Sequence, residues 1–445
     1  MKPTAGTSPF REAFRLAWPV TLSLLLHAGY RVNDQYWIRD LGAEAQAALG
    51  VTTFMLILNF AFITVVSTGT LARVARYSGA GRTGRVRIVY RSACKSGLVW
   101  LLLIGAAGWL TTPFWVRLCG AEGAVAVLGR DYLGTIYLGL PLLASKPIID
   151  SVYIGLGNTV VPMALAALAV GLNFALNPAL IYGWWGFPEL GIAGAAWSTC
   201  ISRGVAAVVG MVLLRRWYGL GRRWKRPVSR RETARIFRIG APVALSTFAY
   251  AFVFVLVLNT SVSPLGLNVQ AGLGVAFNGV EAVSYCGLMG PAMAAASIVG
   301  RRLGARDPEG ARAGLHACLW MSCGFAAIAS ILFLAAAPQL AGAYTADARV
   351  LAEAVLYLQV VAWSQVVTAA DSVLQQAMAG AGRTLGMSMW NTVGYLVRIP
   401  MAWAMAFPLG WGARGVWWAL NLSNFLKLGA IFLHYRRLRL FGPPR

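Results

Sequence analysis

Apolar stretches of about twenty residues succeed one another along the chain, separated by short polar or glycine-rich connections. A helix needs roughly 20 apolar residues to cross the hydrocarbon core of a bilayer. Hydropathy windows place such stretches near 14–39, 46–72, 92–115, 132–153, 160–183, 191–214, 239–263, 268–299, 311–337, 352–378, 386–408 and 412–435. The pattern predicts an all-α integral membrane protein with twelve transmembrane helices. Pro141, Pro147, Pro162, Pro178, Pro242, Pro291 and Pro400 fall in or at the ends of spans. Small residues there favour close helix packing, and proline loosens the local backbone ladder.

The pattern also repeats. PVTLSLLLHAGYRVNDQYWIRDLG (19–42) aligns with PVALSTFAYAFVFVLVLNTSVSPLG (242–266), and ARYSGAGR (75–82) with GRRLGARD (300–307). GLGNT (155–159) aligns with GAGRT (380–384), and LGIAGAAW (190–197) with GWGARGVWW (410–418). All four landmarks keep a shift of 221–225 residues. The chain therefore reads as a duplication: an N-terminal lobe over 1–215, a basic linker over 216–237, and a C-terminal lobe over 238–445. Each lobe has six spans and a basic loop after its second, so equivalent loops face the same side and the repeats are parallel. Lobes of this kind are expected to surround a central cavity and to rock about a site near the bilayer midplane.

Charge changes the picture only through its placement. Lys and Arg number 39 against 15 Asp and Glu, a net charge of +24. In a soluble chain that excess would point to nucleic acid. Here the bases crowd into 73–95, 215–238, 300–312 and the tail, while the alternate connections near 40–44, 117–131, 189, 347–353 and 414 hold few. Bases kept on one side set orientation, so both termini are expected to be cytoplasmic in a multi-pass protein of the cell inner membrane. The basic loops would then lie against anionic lipid headgroups, with no nucleic acid partner. The segment before the first span lacks a cleavage site and reads as a cytoplasmic lead-in. Cys94, Cys119, Cys200, Cys286, Cys318 and Cys323 show no metal-ligand spacing and read as small apolar residues. His27, His316 and His434 are scattered, which offers no catalytic cluster, so an enzyme is not expected.

Charged groups inside the spans carry the chemistry. Asp34 lies deep in the first span, where a carboxylate costs several kcal/mol or more, so a function should retain it. Asn173 and Asn177 are four apart and share a helix face in the fifth span, and Thr199 offers a hydroxyl in the sixth. One carboxylate, two amide carbonyls and a hydroxyl are hard oxygen ligands for a coupling ion, with Na+ possible at Asp34, Asn173 and Asn177. A desolvated carboxylate could equally hold a proton. Arg31, three residues before Asp34, could pair with it or point away. Glu281 and Asp371, with Tyr250 and Tyr285 nearby, would suit an amphipathic organic cation in a substrate cavity. Lys146 and Asp150, four apart, should satisfy each other. Arg203 and Arg398 near span ends could snorkel.

The ordered series of Asp34 before Leu41-Gly42, the GA-containing basic loop in each lobe, N-x-x-x-N-P at 173–178, LGIAGAAWST, SIVGRRLGA at 297–305, GAGRT at 380–384 and RIP at 398–400 resembles the multidrug and toxic compound extrusion (MATE) family of the multidrug/oligosaccharidyl-lipid/polysaccharide flippase superfamily. The resemblance spans both lobes. It implies export of organic cations as small-molecule substrates, driven by inward flow of H+ or Na+, by a monomer needing no cofactor beyond that ion. It places Asp34, Asn173, Asn177 and Thr199 at the first-lobe ion site. Part of the family has aspartate where this chain has Asn177. One branch has a glutamate where Tyr250 stands, and Asp371 matches an acidic position of that branch only loosely. Glu281 matches an eighth-span glutamate of another branch, with Asn278 where arginine is common. A lipid or lipid-linked saccharide flippase of the same superfamily is the alternative. Strongly basic cavities, lined by Arg31, Lys146, Arg203 and Arg398, would favour it.

Overall fold

The structure, a computed structural model, describes residues 8–118, 122–221 and 227–437; within these, the side chains of residues 31, 32, 43, 51, 53, 54, 57 and 58 lie outside the description. The side chain of Arg31 and the whole of Cys119 therefore fall outside the described residues. Sixteen helices follow in order: α1 (Pro9–Ile38), α2 (Ala43–Gly79), α3 (Thr83–Leu118), α4 (Gly123–Leu138), α5 (Leu140–Leu156), α6 (Val160–Tyr182), α7 (Gly191–Tyr218) and α8 (Arg230–Val257). After them come α9 (Leu267–Leu273), α10 (Ala282–Gly304), α11 (Pro308–Ala335), α12 (Ala337–Gly342), α13 (Ala348–Val361), α14 (Gln365–Gly380), α15 (Leu385–Ala406) and α16 (Gly412–Arg437). No strand occurs among the described residues.

Eight of the helical segments are long and apolar enough to cross a membrane singly, and α4 with α5 makes a ninth as a pair bent by 51°. The other three expected spans correspond to α1, α2 and α15, of 30, 37 and 22 residues. Two of these have the length but carry the internal polar groups: Asn33 and Asp34 in α1, Asn391 and Arg398 in α15. Four further departures from straight spans appear, one of them a π-helical stretch, Leu258–Val262, near the end of the seventh. The span expected at 132–153 begins earlier and bends at Gly139, where an added Cβ would sit 2.4 Å from the Cys200 sulfur, so only glycine permits that approach. The eighth span contains a π-helical stretch, Gly274–Glu281, between α9 and α10. The tenth pauses in a short 3₁₀ turn, Ala362–Ser364, between α13 and α14. Wide turns of the π type free backbone groups and re-aim side chains, often at functional sites.

The chain separates into two compact units. One is Leu22–Ala244; the other combines the described residues before 22 with those from Leu245 onward. The start of α1 thus belongs with the second unit, and the start of α8 with the first. In the first unit α8 crosses α2 at glycines: a Cβ on Gly240 would lie 1.7 Å from the Val65 carbonyl oxygen, and one on Gly69 2.1 Å from that of Ile236. In the second unit a Cβ on Gly290 of α10 would meet the Thr21 hydroxyl of α1 at 2.0 Å. Ion pairs pin both helix starts. Glu12 accepts from Arg301 at 3.1 Å and Arg302 at 2.6 Å. Glu232 accepts from Arg73 at 3.0 Å, Arg235 at 2.9 Å and the Tyr77 hydroxyl at 2.9 Å.

Cys200, Cys286 and Cys318 are buried, Cys94 and Cys323 partly so, and none of the five is in a disulfide. Among the described residues no group of three or more His, Cys, Asp or Glu could hold a metal ion.

Candidate ion and substrate sites

In the first unit α1, α6 and α7 bring together the four residues singled out in the sequence. Asp34 is 8% exposed, Asn173 and Asn177 are fully buried, and Thr199 is 7% exposed. Asn177 Nδ2 donates to Asp34 Oδ1 at 2.9 Å, Asn173 Nδ2 reaches the same oxygen at 3.4 Å, and the Thr199 hydroxyl donates to Oδ2 at 3.3 Å. The helix spacing explains the convergence. Residues four apart on α6 present both amides to α1, and α7 packs against α6 with Thr199 level with them. Among the described residues, Asp34 has no ion pair; its partners are all neutral.

Further polar residues complete this cage. Asn33 Nδ2 donates to Asn173 Oδ1 at 2.8 Å, and Trp37 donates to Asn33 Oδ1 at 3.0 Å. Asn173 Nδ2 also lies 3.0 Å from the Ser198 hydroxyl. The carbonyl of Asn173 is therefore committed to Asn33, which leaves its amide group as a donor toward Asp34. Asn177 is less constrained, and half a turn about its terminal bond would present its carbonyl oxygen instead; amide orientation is assigned from just such networks. Asn33 and Ser198 were missed in the sequence, although each adjoins a residue that was picked out.

One helical turn from this cage lies a second layer. Tyr30, four residues before Asp34, shares a hydrogen bond with Ser202 at 3.1 Å. The Arg203 guanidinium lies over the Tyr30 ring, 5.0 Å from its centroid. Lys146, only 1% exposed, bonds Asp150 at 2.6 Å, as their spacing predicts.

The second unit places its acids in two different settings. Glu281, at the end of the π-helical stretch, accepts from the Tyr357 hydroxyl at 2.6 Å and from Gln365 Nε2 at 3.0 Å. Asp371 on α14 is 2% exposed, and its Oδ2 is held by Lys427 at 2.7 Å and Gln375 at 2.7 Å. Lys427, midway along the last span, was not picked out in the sequence. Its ammonium also lies 4.8 Å from the Tyr395 ring centroid, and Gly394 lets its stem pass: an added Cβ there would meet the Lys427 Cβ at 3.1 Å. Tyr250 packs edge-on against Tyr395, centroids 5.3 Å apart, while Tyr285 is 48% exposed. Arg398 does not snorkel as its place in the span allowed. It is 7% exposed and donates to Ser423 and Asn424, each at 2.9 Å.

The MatE family profile matches residues 19–179 and 242–404, one match in each half. The chain is 25% identical over 418 residues to the probable multidrug resistance protein NorM of Thermotoga maritima, spanning 92% of this chain and 88% of that one. It is 27% identical over 452 residues to the multidrug resistance protein PmpM of Pseudomonas aeruginosa, spanning 96% and 91%. Among solved structures, MATE in the straight conformation superposes with a TM-score of 0.88 at 21% identity, over 98% of this chain and 96% of that one. A transporter of the same superfamily from Pyrococcus furiosus gives 0.87 at 21%, over 99% of both. At such identities the structures establish the fold, an all-helical membrane bundle of two repeated lobes, and the paired profile matches over most of the length establish descent: the chain belongs to the MatE family of membrane transporters.

Proposed function

We propose that the protein is a secondary antiporter that exports small amphipathic organic cations across the cytoplasmic membrane in exchange for H+ or Na+. The observation that carries this is the state of Asp34. A carboxylate is kept inside the bilayer among neutral donors, with no ion pair among the described residues. A carboxylate held only for structure would be expected to have a counter-charge, as Asp371 and Asp150 do. Asp34 is instead poised to exchange a proton or a small cation, and a substrate-driven change in its surroundings would complete alternating access. The names of the NorM and PmpM relatives support multidrug compounds as substrates. Glu281, neutral in its partners, is the second-half acid open to an organic cation, whereas Asp371 is occupied by Lys427. The protein works as a monomer with both termini cytoplasmic and lipid headgroups against its basic loops. Lys146 and Arg398 are tied into the fold, which weighs against a flippase cavity lined by free bases.

The test is efflux of an ethidium-type dye from cells with and without a sodium gradient, at two external pH values, comparing wild type with Asp34→Asn. The near-isosteric amide should abolish ion-driven efflux, at least tenfold, with the protein inserted at normal levels. Unchanged efflux in this variant would remove Asp34 from the mechanism.

A further inference from the structure

Arg203 is a partly buried base whose Nε is enclosed without a hydrogen-bond partner. It sits on α7, four residues beyond Thr199, so the two stack on one helix face. Thr199 donates to Asp34, and Tyr30, under the guanidinium, is four residues from Asp34 on α1. Four residues of helix rise about 6 Å. The guanidinium is thus one helical turn from the carboxylate, within reach of a long side chain that needs only rotamer changes to get there. Among the described residues, none gives Arg203 an ion pair, and its Nε lacks a hydrogen-bond partner. A partly buried cation and a buried anion, each without an ion pair among the described residues, lie on adjoining layers of the same helix packing.

The second unit shows the closed form of this arrangement. Lys427 lies 224 positions after Arg203, at the repeat shift, and Asp371 lies 225 after Lys146. There the base of the last span grips a carboxylate at 2.7 Å. In the first unit the position equivalent to Asp371 is Lys146, which is already held by Asp150. Arg203 therefore has no acid at the corresponding position, and among the described residues the carboxylate without an ion pair on its packed neighbours is Asp34.

We propose that Arg203 is a tethered counter-ion that competes with the coupling ion for Asp34. With the ion on Asp34, the guanidinium rests over Tyr30; when the ion leaves, Arg203 swings one turn and neutralises the carboxylate. The competition sets the affinity of the site, keeping ion binding weak enough to be reversed in each cycle. This rests on the antiport reading above and adds to it the residue that governs release. Among the described residues, the charged and titratable groups around Arg203 are Asp34, Tyr30 and His27 from α1, Tyr132 from α4, Lys146 with Asp150 from α5, and Cys200 on its own helix. Lys146, the other described base nearby, is committed to Asp150.

The test uses purified full-length protein in proteoliposomes. The half-activating concentration of Na+ at fixed pH, and of H+ at fixed Na+, is measured for wild type, Arg203→Gln, Arg203→Lys and Arg203→Gln/Asp34→Asn. Removing the competitor should lower the half-activating concentration of the coupling ion at least tenfold in Arg203→Gln, while maximal rate stays level or falls. Arg203→Lys should stay within about threefold of wild type, and the double variant should show no ion-activated transport. A merely structural role would lower rate without tightening the ion. If Arg203→Gln does not fold, Tyr30→Leu serves instead: removing the resting platform should bias the guanidinium toward Asp34 and raise the half-activating concentration. Unmoved midpoints for both ions in Arg203→Gln, or equal shifts in the Lys variant, overturn the proposal while leaving antiport intact. A wild type without Asp34-dependent coupling overturns the antiport reading as well.

Discussion

The pair Asp371–Lys427 offers the sharpest energetic test of how the second half is built. Lys427→Met keeps the length of the stem but removes the ammonium 2.7 Å from Oδ2. Asp371 is then a carboxylate 2% exposed, left with Gln375 at 2.7 Å, while its Oδ1 has no hydrogen-bond partner at all. Breaking a buried pair by removing one partner costs about 3–5 kcal/mol, because the survivor is an uncompensated charge. Unfolding entropy is about 2.1 cal/mol/K per residue, so a unit of roughly 200 residues shifts by about 2 °C per kcal/mol. The single variant should therefore melt about 6–10 °C lower if that unit melts by itself, and about half as much if the whole chain melts together. Lys427→Met/Asp371→Leu removes both charges at similar volume and should recover at least half of the loss. Melting is followed by fluorescence-detected gel filtration of heated, detergent-purified samples. A double variant as unstable as the sum of its singles would refute the argument, since the loss would then come from packing and not from a stranded carboxylate.

Two other substitutions follow from the packing. Glu232→Gln strips the charge from an acid that gathers Arg73, Arg235 and Tyr77, and should cost about 1.5–3 kcal/mol. Its melting loss should shrink in an Arg73→Gln background, as a double-mutant cycle would show. Gly240→Ala puts a methyl 1.7 Å from the Val65 carbonyl oxygen, which only a shift of α8 off α2 can relieve. A loss of about 1–3 kcal/mol is expected, whereas alanine at Gly274, where nothing lies within 4 Å of the added Cβ, should leave melting unchanged or raised.

The succession of long apolar helices and the duplication were legible in the sequence because both depend on long-range patterns, apolar length and a constant shift. Asp34 was legible for a related reason: a charge at that depth stands out against its surroundings. Its partners came from the four-residue spacing of Asn173 and Asn177, a property of helix geometry. What escaped was whatever depends on rotation and pairing between helices. Lys427 lies in NLSNFLKLG close to the basic tail, and its depth hid there; only the contact with Asp371 reveals that the acid is neutralised. Asn33 was passed over beside a more conspicuous neighbour. The bend at Gly139 and the π-helical turn before Glu281 leave no periodic trace, since each is a local adjustment to what packs alongside.

The crossing-over of the two opening helices has a consequence for fragments of the chain. Glu12 precedes the first apolar span, yet it is Arg301 and Arg302, almost three hundred residues later, that hold it; Glu232 opens the second half, yet Arg73 of the first receives it. A fragment ending before the linker would start with a carboxylate whose bases it lacks, and would possess a surplus guanidinium at Arg73. A fragment starting at the linker would keep Arg235 for Glu232 but lose Arg73. Two copies placed together could repair each other by trading their leading turns.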